Sequence, residues 1–196
     1  MSLKTQAAQE KNRLSAGDWQ QAALDALSEA GLQGIAIEML ARRLGVTKGS
    51  FYWHFESRDA LIQAALELWE SQEQELVFGK LDTLPDAQAR LKALIALVAS
   101  ELKAHKIYSE LLKAVDHPLV RPVLERVSKR RIDYLTASFR QAGMPRAAAI
   151  NRARLTYAAY VGFLQLNMQL GYPKLNHDEF EQYVAHLSET LIPASG

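Results

Sequence analysis

The stretch Gly45-Val46-Thr47-Lys48-Gly49-Ser50-Phe51-Tyr52-Trp53-His54-Phe55 decides the fold prediction for the first part of the chain. It follows one short helical segment, about 37–44, and contains a second, about 47–53. Gly45 permits a tight turn between them, because glycine adopts positive φ without steric cost. Two short helices joined in this way predict a helix-turn-helix motif over residues 36–55.

The second helix of the motif places polar and aromatic side chains on its outer face. Its first turn contains Lys48, Gly49 and Ser50, where backbone N–H groups favour phosphate oxygens. Phe51 points inward at helical spacing, and Thr47 can cap the helix. The predicted DNA contacts are Thr47, Lys48, Gly49, Ser50, Tyr52, Trp53 and His54. The alternative is two bundle helices with core aromatics, but the combined pattern is too amphipathic for pure core.

Global charge gives little support for a nucleic-acid partner. The formal net charge is +1, from 23 basic and 22 acidic residues, so the overall field does not attract DNA. The motif contains three basic residues, Arg42, Arg43 and Lys48, and one acidic residue, Glu38, which together give a modest positive patch. On charge alone a solvated surface is the favoured interpretation. The DNA-binding prediction therefore depends on the motif.

The chain has no cysteine and matches no catalytic or metal-binding motif. A disulfide framework and thiolate metal sites are therefore excluded, and a reducing cytoplasm is compatible. His-Glu-x-x-His, a phosphate-binding loop and Gly-x-Ser-x-Gly do not occur, so we expect no enzyme, cofactor or metal. The N-terminus lacks the apolar region of a signal peptide, and the longest uncharged stretch, 155–170, is too short and polar to span a membrane. We expect a cytoplasmic protein.

Helical periodicity over almost the whole chain predicts an all-α fold. A capping box at Ser15 predicts the start of the first helix, and Gly31 predicts its end. Pro85 suits the first turn of the fifth helix. We expect a three-helix helix-turn-helix domain at 1–57 and a C-terminal bundle of about six helices at 58–196.

The stretch 155–170 carries apolar residues around nearly its whole circumference. Such a helix must be covered on several sides, and Ala158, Ala159 and Gly162 allow another helix to approach closely. The last helix adds an apolar stripe of its own. These features predict a homodimer, and the alternative is a central helix buried within a monomer.

Arg131 indicates a candidate ligand-binding site in the C-terminal part of the chain. It lies between Val127 and Leu135 in an apolar stripe, where a charge needs a carboxylate, a ligand or a subunit interface as its partner. The alternative is that Arg131 extends to solvent or pairs with an acid such as Glu110. The predicted ligand-binding residues are Trp69, Tyr108, His117, Arg131, Tyr157, Tyr160 and Gln165.

Residues from about 15 to 68 resemble the N-terminal domain of TetR/AcrR-type regulators. The resemblance is carried by Ala22-Ala23, Gly31, Leu40-Ala41, the run from Gly45 to Phe55, and Ser57-Arg58-Asp59-Ala60-Leu61. The rest of the chain is similar in the number and length of its helices. Ala36 departs from the pattern, because the family usually has Thr or Ser there. The lost cap costs about 1 kcal/mol and removes a phosphate contact.

The resemblance implies about nine helices, a homodimer formed through the last two long helices, and a ligand cavity in the C-terminal half. It leads us to expect a dimeric DNA-binding transcriptional regulator. Specifically, we expect a ligand-responsive repressor that binds a pseudo-palindromic operator in double-stranded DNA. The alternatives left open are an activator, a regulator without a ligand, and a helical small-molecule-binding protein or enzyme that does not bind DNA.

Overall fold

The computed structural model describes residues 14–79, 81–100 and 102–193. These residues form nine α-helices and no strand, which confirms the predicted all-α fold. The helices are α1 (Ala16–Ala30), α2 (Ile37–Arg43), α3 (Lys48–Phe51), α4 (Arg58–Glu73), α5 (Ala87–Ser100), α6 (Leu102–Lys113), α7 (Val120–Gln141), α8 (Arg146–Leu170) and α9 (His177–Leu191). A 3₁₀ turn, Gly31–Gly34, follows α1, and a π-helical segment, Gln74–Gly79, follows α4.

The predicted capping box at the start of α1 is present. The backbone N–H of Asp18 donates to the hydroxyl of Ser15 at 3.3 Å, and the Asp18 carboxylate accepts the N–H of Ser15 at 2.7 Å. Gly31 ends the helix with φ 65°, where a residue with a Cβ would be strained. Two backbone donors at the helix N-terminus are thus satisfied locally, which fixes where α1 begins.

The chain separates into two compact units, of which the first ends with Trp69 and the second begins with Glu70. The predicted division into domains at 57/58 stays a prediction. The outer ends of the two predicted domains, residues 1–13 and 194–196, lie outside the described residues.

The first unit surrounds a core of aromatic and aliphatic side chains. Its buried members include Trp19, Leu24, Leu27, Leu40, Phe51, Leu61 and Leu66. Arg58, at the start of α4, donates from Nε to the carbonyl of Ile35 at 2.6 Å and from Nη2 to the carbonyl of Leu32. These bonds satisfy carbonyls just before α2 and position that helix relative to α4.

The second unit is a bundle of α5 to α9 together with the last turn of α4. One buried cluster in it joins α5, α7, α8 and the residue after α9: Leu91, Leu135, Phe139, Ala149, Ala153 and Ile192. Arg152 on α8 donates to the carbonyls of Thr190 and Leu191 at 2.9 and 2.8 Å. Because the last carbonyls of a helix have no intrahelical donor, this arginine caps α9 from its neighbour.

Two helix boundaries differ from the sequence prediction. Pro85 does not lie in the first turn of α5, because Asp86 caps that helix by accepting the N–H of Ala89 at 2.6 Å. The next helix begins at Leu102, whereas the helical pattern of the sequence predicts a short helix over about 107–115. Among the described residues, no helix combines the length and apolar character needed to cross a membrane.

Candidate functional site

A tight turn at Gly45 joins α2 to α3. Gly45 has φ 70°, its N–H donates to the carbonyl of Arg42 at 3.2 Å, and the N–H of Val46 donates to that of Ala41 at 2.9 Å. These bonds satisfy carbonyls at the end of α2. Val46, directly after the turn, is half-buried.

Phe51 anchors α3 to the first unit. Its ring is fully buried and lies edge-on to Trp19, with the centroids 5.3 Å apart. Phe55 is buried beside it at 5.7 Å in a stacked arrangement. Such aromatic pairs contribute about 0.5–1.5 kcal/mol each beyond the area they bury. The outer face of α3 is therefore held by a rigid inner face.

The helix α3 is shorter than the sequence predicts. It ends at Phe51, and Tyr52, Trp53 and His54 form a turn in which the N–H of His54 donates to the carbonyl of Phe51 at 2.9 Å. Tyr, Trp and His are weaker helix formers than Ala, and the turn brings Phe55 into the core. The prediction of a helix over about 47–53 is wrong in its length.

Thr47 stands at the N-cap of α3 with an extended backbone, but its side chain makes no capping hydrogen bond. The prediction that Thr47 caps the helix through its hydroxyl is therefore not met. At the N-cap of α2, Ala36 likewise supplies no side-chain bond, as its methyl group requires.

The residues predicted to contact DNA gather on one exposed surface of the first unit. Thr47, Lys48, Gly49, Tyr52, Trp53 and His54 are exposed, and Ser50 is half-buried. The indole of Trp53 is 85% exposed, although tryptophan is usually well buried. An added Cβ at Gly49 would meet only the Thr47 hydroxyl, at 3.7 Å. Packing within the chain therefore does not require glycine at this position.

Acidic partners offset part of the positive charge of the motif. Lys48 forms an ion pair with Glu38, and Arg43 binds Glu29 through two hydrogen bonds of 2.7 and 2.9 Å. The hydrogen bond from Lys48 holds the pKa of Glu38 below its usual range, and the same bond raises the pKa of Lys48. Water screens these exposed pairs, so both cations remain available to a stronger anion.

Four of the predicted ligand-binding residues come together inside the second unit. The guanidinium of Arg131, on α7, lies 4.3 Å from the ring centroid of Tyr108 and 5.8 Å from that of Tyr160. Tyr108 and Tyr157 are joined through their hydroxyls, and the Tyr157 hydroxyl is 2.9 Å from that of Ser128. Together Tyr108, Arg131, Tyr157 and Tyr160 form what we call the tyrosine–arginine cluster.

A row of ion pairs leads into this cluster from the surface. Glu70 binds Arg126 at 2.7 Å and Arg130 at 3.0 Å, and Glu73 binds both Arg130, at 3.3 Å, and Arg131. The side chain of Glu73 is only 8% exposed. Arg131 therefore pairs with an acid, as one of the sequence alternatives proposed, but the acid is Glu73 and not Glu110.

Burial and charge act in opposite directions on the cluster. Burial, the largest single effect, disfavours the charged form of Arg131, but Glu73 and the neighbouring tyrosines together outweigh it, so the pKa of Arg131 lies above its usual value. Burial also raises the pKa of Tyr108, and it raises the pKa of Tyr160 to about 12. Tyr108 and Tyr160 are therefore neutral phenols near pH 7, and Glu73 is the carboxylate that faces the guanidinium.

The other three predicted ligand residues lie elsewhere. His117 precedes α7, and its Nδ1 accepts the N–H of Leu119 at 3.3 Å. About three helical turns separate the start of α7 from Arg131. Gln165 lies about two turns beyond Tyr157 on α8, and its Nε2 is buried with no hydrogen-bond partner among the described residues. Trp69 is buried at the end of the first unit.

Sequence reasoning missed Glu73, Ser128 and His105, whose Nδ1 lies 3.0 Å from the Tyr160 hydroxyl. A signal for Glu73 was available. Glu70 and Glu73 are three residues apart on one helix, and Arg126 and Arg130 are four apart on another, which is the spacing of facing charge rows. In the described part of the chain, no group of three or more His, Cys, Asp or Glu side chains is arranged to hold a metal ion.

Comparisons with known proteins agree with the helix-turn-helix geometry. Residues 21–65 match the family model described as bacterial regulatory proteins, tetR family. The HTH-type transcriptional regulator BetI of Klebsiella pneumoniae (strain 342) is 27% identical over 180 residues, which cover 88% of this chain and 91% of BetI. The chain resembles TetR-family transcriptional regulators. Like the BetI proteins it resembles, it is a DNA-binding regulator and not an enzyme.

Solved structures of other regulators share the fold of this chain. A transcriptional regulator from Saccharomonospora viridis, solved in complex with choline, is 17% identical with a TM-score of 0.77 and covers 89% of this chain and 95% of its own. AibR, solved with isovaleryl coenzyme A and operator DNA, is 16% identical with a TM-score of 0.66. The match covers 91% of this chain and 98% of AibR.

Proposed function

We propose that this chain is a dimeric, ligand-responsive repressor that binds a pseudo-palindromic operator through α3 and the turn that follows it. The observation that carries the proposal is the exposed surface formed by Lys48, Gly49, Tyr52, Trp53 and His54 on the buried base of Phe51. As a bacterial DNA-binding regulator, it acts in the cytoplasm, where the chromosome lies.

The groups on this surface divide into positioning and reading roles. Thr47, Lys48, Gly49 and Ser50 sit in the first turn of α3, where backbone N–H groups and the lysine favour phosphate oxygens. Gly49 leaves room for the DNA backbone to approach closely. Tyr52, Trp53 and His54 supply hydrogen bonds and apolar contact to base edges in the major groove.

The support for a dimer lies on α8 and just beyond it. Leu155, Leu166 and Leu170 on α8 and Tyr172 after it are large apolar side chains that remain exposed in one copy of the chain, Leu170 by 71%. Monomers rarely leave such residues together in water. Such a dimer would carry two α3 helices, which would read half-sites about 34 Å apart, or a multiple of one helical turn of DNA.

The effector site that we propose is the tyrosine–arginine cluster. Its support is a buried charge among aromatic rings in a unit separate from the DNA-binding surface. Two structural neighbours, which share the fold, were solved with small molecules, choline and isovaleryl coenzyme A. An effector would act by shifting α4, whose last residue is Glu73, between states that differ in operator affinity.

Selection of bound fragments from random DNA, followed by mobility-shift titration, tests the DNA-binding part. We expect the selected DNA to contain a two-fold symmetric site. The Lys48→Ala, Tyr52→Ala double variant should no longer bind that site. Lys48→Ala alone should weaken binding to all sequences similarly and reduce the salt slope by about 1. Lys92→Ala, which removes an exposed lysine from the second unit, is the control for charge. Normal operator binding by the double variant would overturn the assignment, and transcription with and without the protein separates repression from activation.

A further inference from the structure

Arg131 has a buried donor that nothing in the described structure satisfies. Its Nε binds Glu73, but its Nη1 is buried without a hydrogen-bond partner among the described residues. The Arg131 side chain as a whole is only 17% exposed. An unsatisfied buried donor on a charged group is costly, and it calls for a partner such as a water molecule, an ion or a ligand.

Glu73 neutralises this guanidinium only in part. Its single negative charge is shared between Arg130 and Arg131, while Glu70 is shared between Arg126 and Arg130. In the ion pairs named here between described residues, three guanidiniums therefore share two carboxylates. Arg126, at the outer end, is half-exposed and screened by water, but Arg131 is at the buried end. The charge that is least compensated lies inside the tyrosine–arginine cluster.

An organic cation is a poor occupant for the cluster as it stands. A cation bound by aromatic residues sits over a ring face within about 6 Å of the centroid. The guanidinium of Arg131 already occupies that position over Tyr108, at 4.3 Å, and lies within the same limit of Tyr160. A second cation would meet a like charge in a setting where water screens it poorly.

We propose that the cluster binds a small carboxylate, which takes the guanidinium of Arg131 in competition with Glu73, and that it does not bind a quaternary ammonium compound. The inference rests on the proposed function, since it names the chemical class of the effector. The Nη1 donor and the phenol groups of the tyrosines supply hydrogen bonds to the carboxylate oxygens. The rings supply contact for an apolar or aromatic body of the ligand.

This assignment couples the effector to α4 by a stated contact. Glu73 is the last residue of α4, and its bond to Arg131 ties that helix to α7. A carboxylate that takes over Arg131 releases Glu73 to Arg130 alone. The ligand therefore distinguishes two states of α4 by a difference in contacts, as a population shift requires.

Isothermal titration calorimetry on the full chain, without DNA, tests the inference with acetate, butyrate, hexanoate, benzoate and phenylacetate. Their primary amides and choline serve as matched probes. At least one carboxylate should bind tenfold or more tightly than its amide, and choline should not bind saturably. Arg131→Met should abolish carboxylate binding, whereas Lys129→Met, on the exposed face of the same helix, should leave it unchanged.

The Glu73→Gln variant should give a result that a merely structural role of Glu73 would not produce. Removing the internal competitor should tighten carboxylate binding about tenfold and give a larger rise in Tm on ligand addition than wild type shows. Equal affinity for carboxylates and amides, saturable choline binding that Arg131→Met changes, or weaker carboxylate binding in Glu73→Gln would each overturn the proposal. Failure of DNA binding would appear only in the separate mobility-shift titration, so the two proposals fail independently.

Discussion

Because Glu73 is shared between two arginines, replacing Glu73 and replacing Arg131 should lower the free energy of unfolding by different amounts. In a simple pair, removing either partner leaves one buried charge unpaired. Here the two cases are unlike, because Glu73 also pairs with Arg130 at 3.3 Å, while Glu73 is the one acidic partner of Arg131 among the described residues. Glu73→Gln should therefore destabilise the second unit more than Arg131→Met.

The magnitude follows from burial. Glu73→Gln leaves the guanidinium of Arg131 buried without a counter-charge, and breaking a buried pair in this way costs about 3–5 kcal/mol. Arg131→Met leaves Glu73 with a guanidinium partner and removes a desolvated charge. It loses the contact with Tyr108 at 4.3 Å, which is worth up to about 2 kcal/mol. We expect a cost of about 1–2 kcal/mol for Arg131→Met.

Urea unfolding followed by far-ultraviolet circular dichroism measures the difference. With a slope of about 2 kcal/mol per molar, Glu73→Gln should lower the midpoint by about 2 M and Arg131→Met by less than 1 M. Asp133→Asn is the control, because it breaks an exposed pair with Lys129 on the same helix and should cost no more than about 0.5 kcal/mol. Equal costs for the two cluster variants, or a larger cost for Arg131→Met, would refute the reasoning.

Two further predictions concern the turn and the pH dependence of stability. Gly45→Ala should lower the free energy of unfolding, measured with urea, by about 1–2 kcal/mol. The loss comes from backbone strain at φ 70° alone, because nothing lies within 4 Å of the added Cβ. A loss of 3 kcal/mol or more would contradict this. Burial raises the pKa of Tyr160 from 10.0 to about 12, so its stabilisation is complete below pH 10 and is lost as the pH rises from 10 towards 12. The loss should approach about 2–3 kcal/mol in wild type and be smaller in Tyr160→Phe, and identical pH profiles would show that the phenol is not responsible.

The fold was predictable wherever local chemistry determines it. The capping box at Ser15, the glycine at 45 and the helix His177–Leu191 follow from side chains that bond to their own backbone or from a regular apolar stripe. The end of α3 at Phe51 was not predictable in the same way. There the burial of Phe55 turns the chain before the helical pattern ends, and this is a tertiary effect.

The two sites were predictable to different degrees. The exposed surface of α3 follows from a contiguous motif, so its residues could be named directly from the sequence. The tyrosine–arginine cluster draws on three helices, and helical periodicity indicated that Arg131 is buried but not which acid meets it. Glu73 is 58 residues away in sequence, and only the packed bundle brings the two together.

The exposure of Trp53 also makes this regulator easy to observe. The chain has three tryptophans, and the other two, Trp19 and Trp69, are buried. A neutral fluorescence quencher such as acrylamide, added to the folded protein, should therefore reach one indole and spare two. The quenchable fraction of emission is a built-in reporter of whatever covers the surface around Trp53, and no label has to be attached.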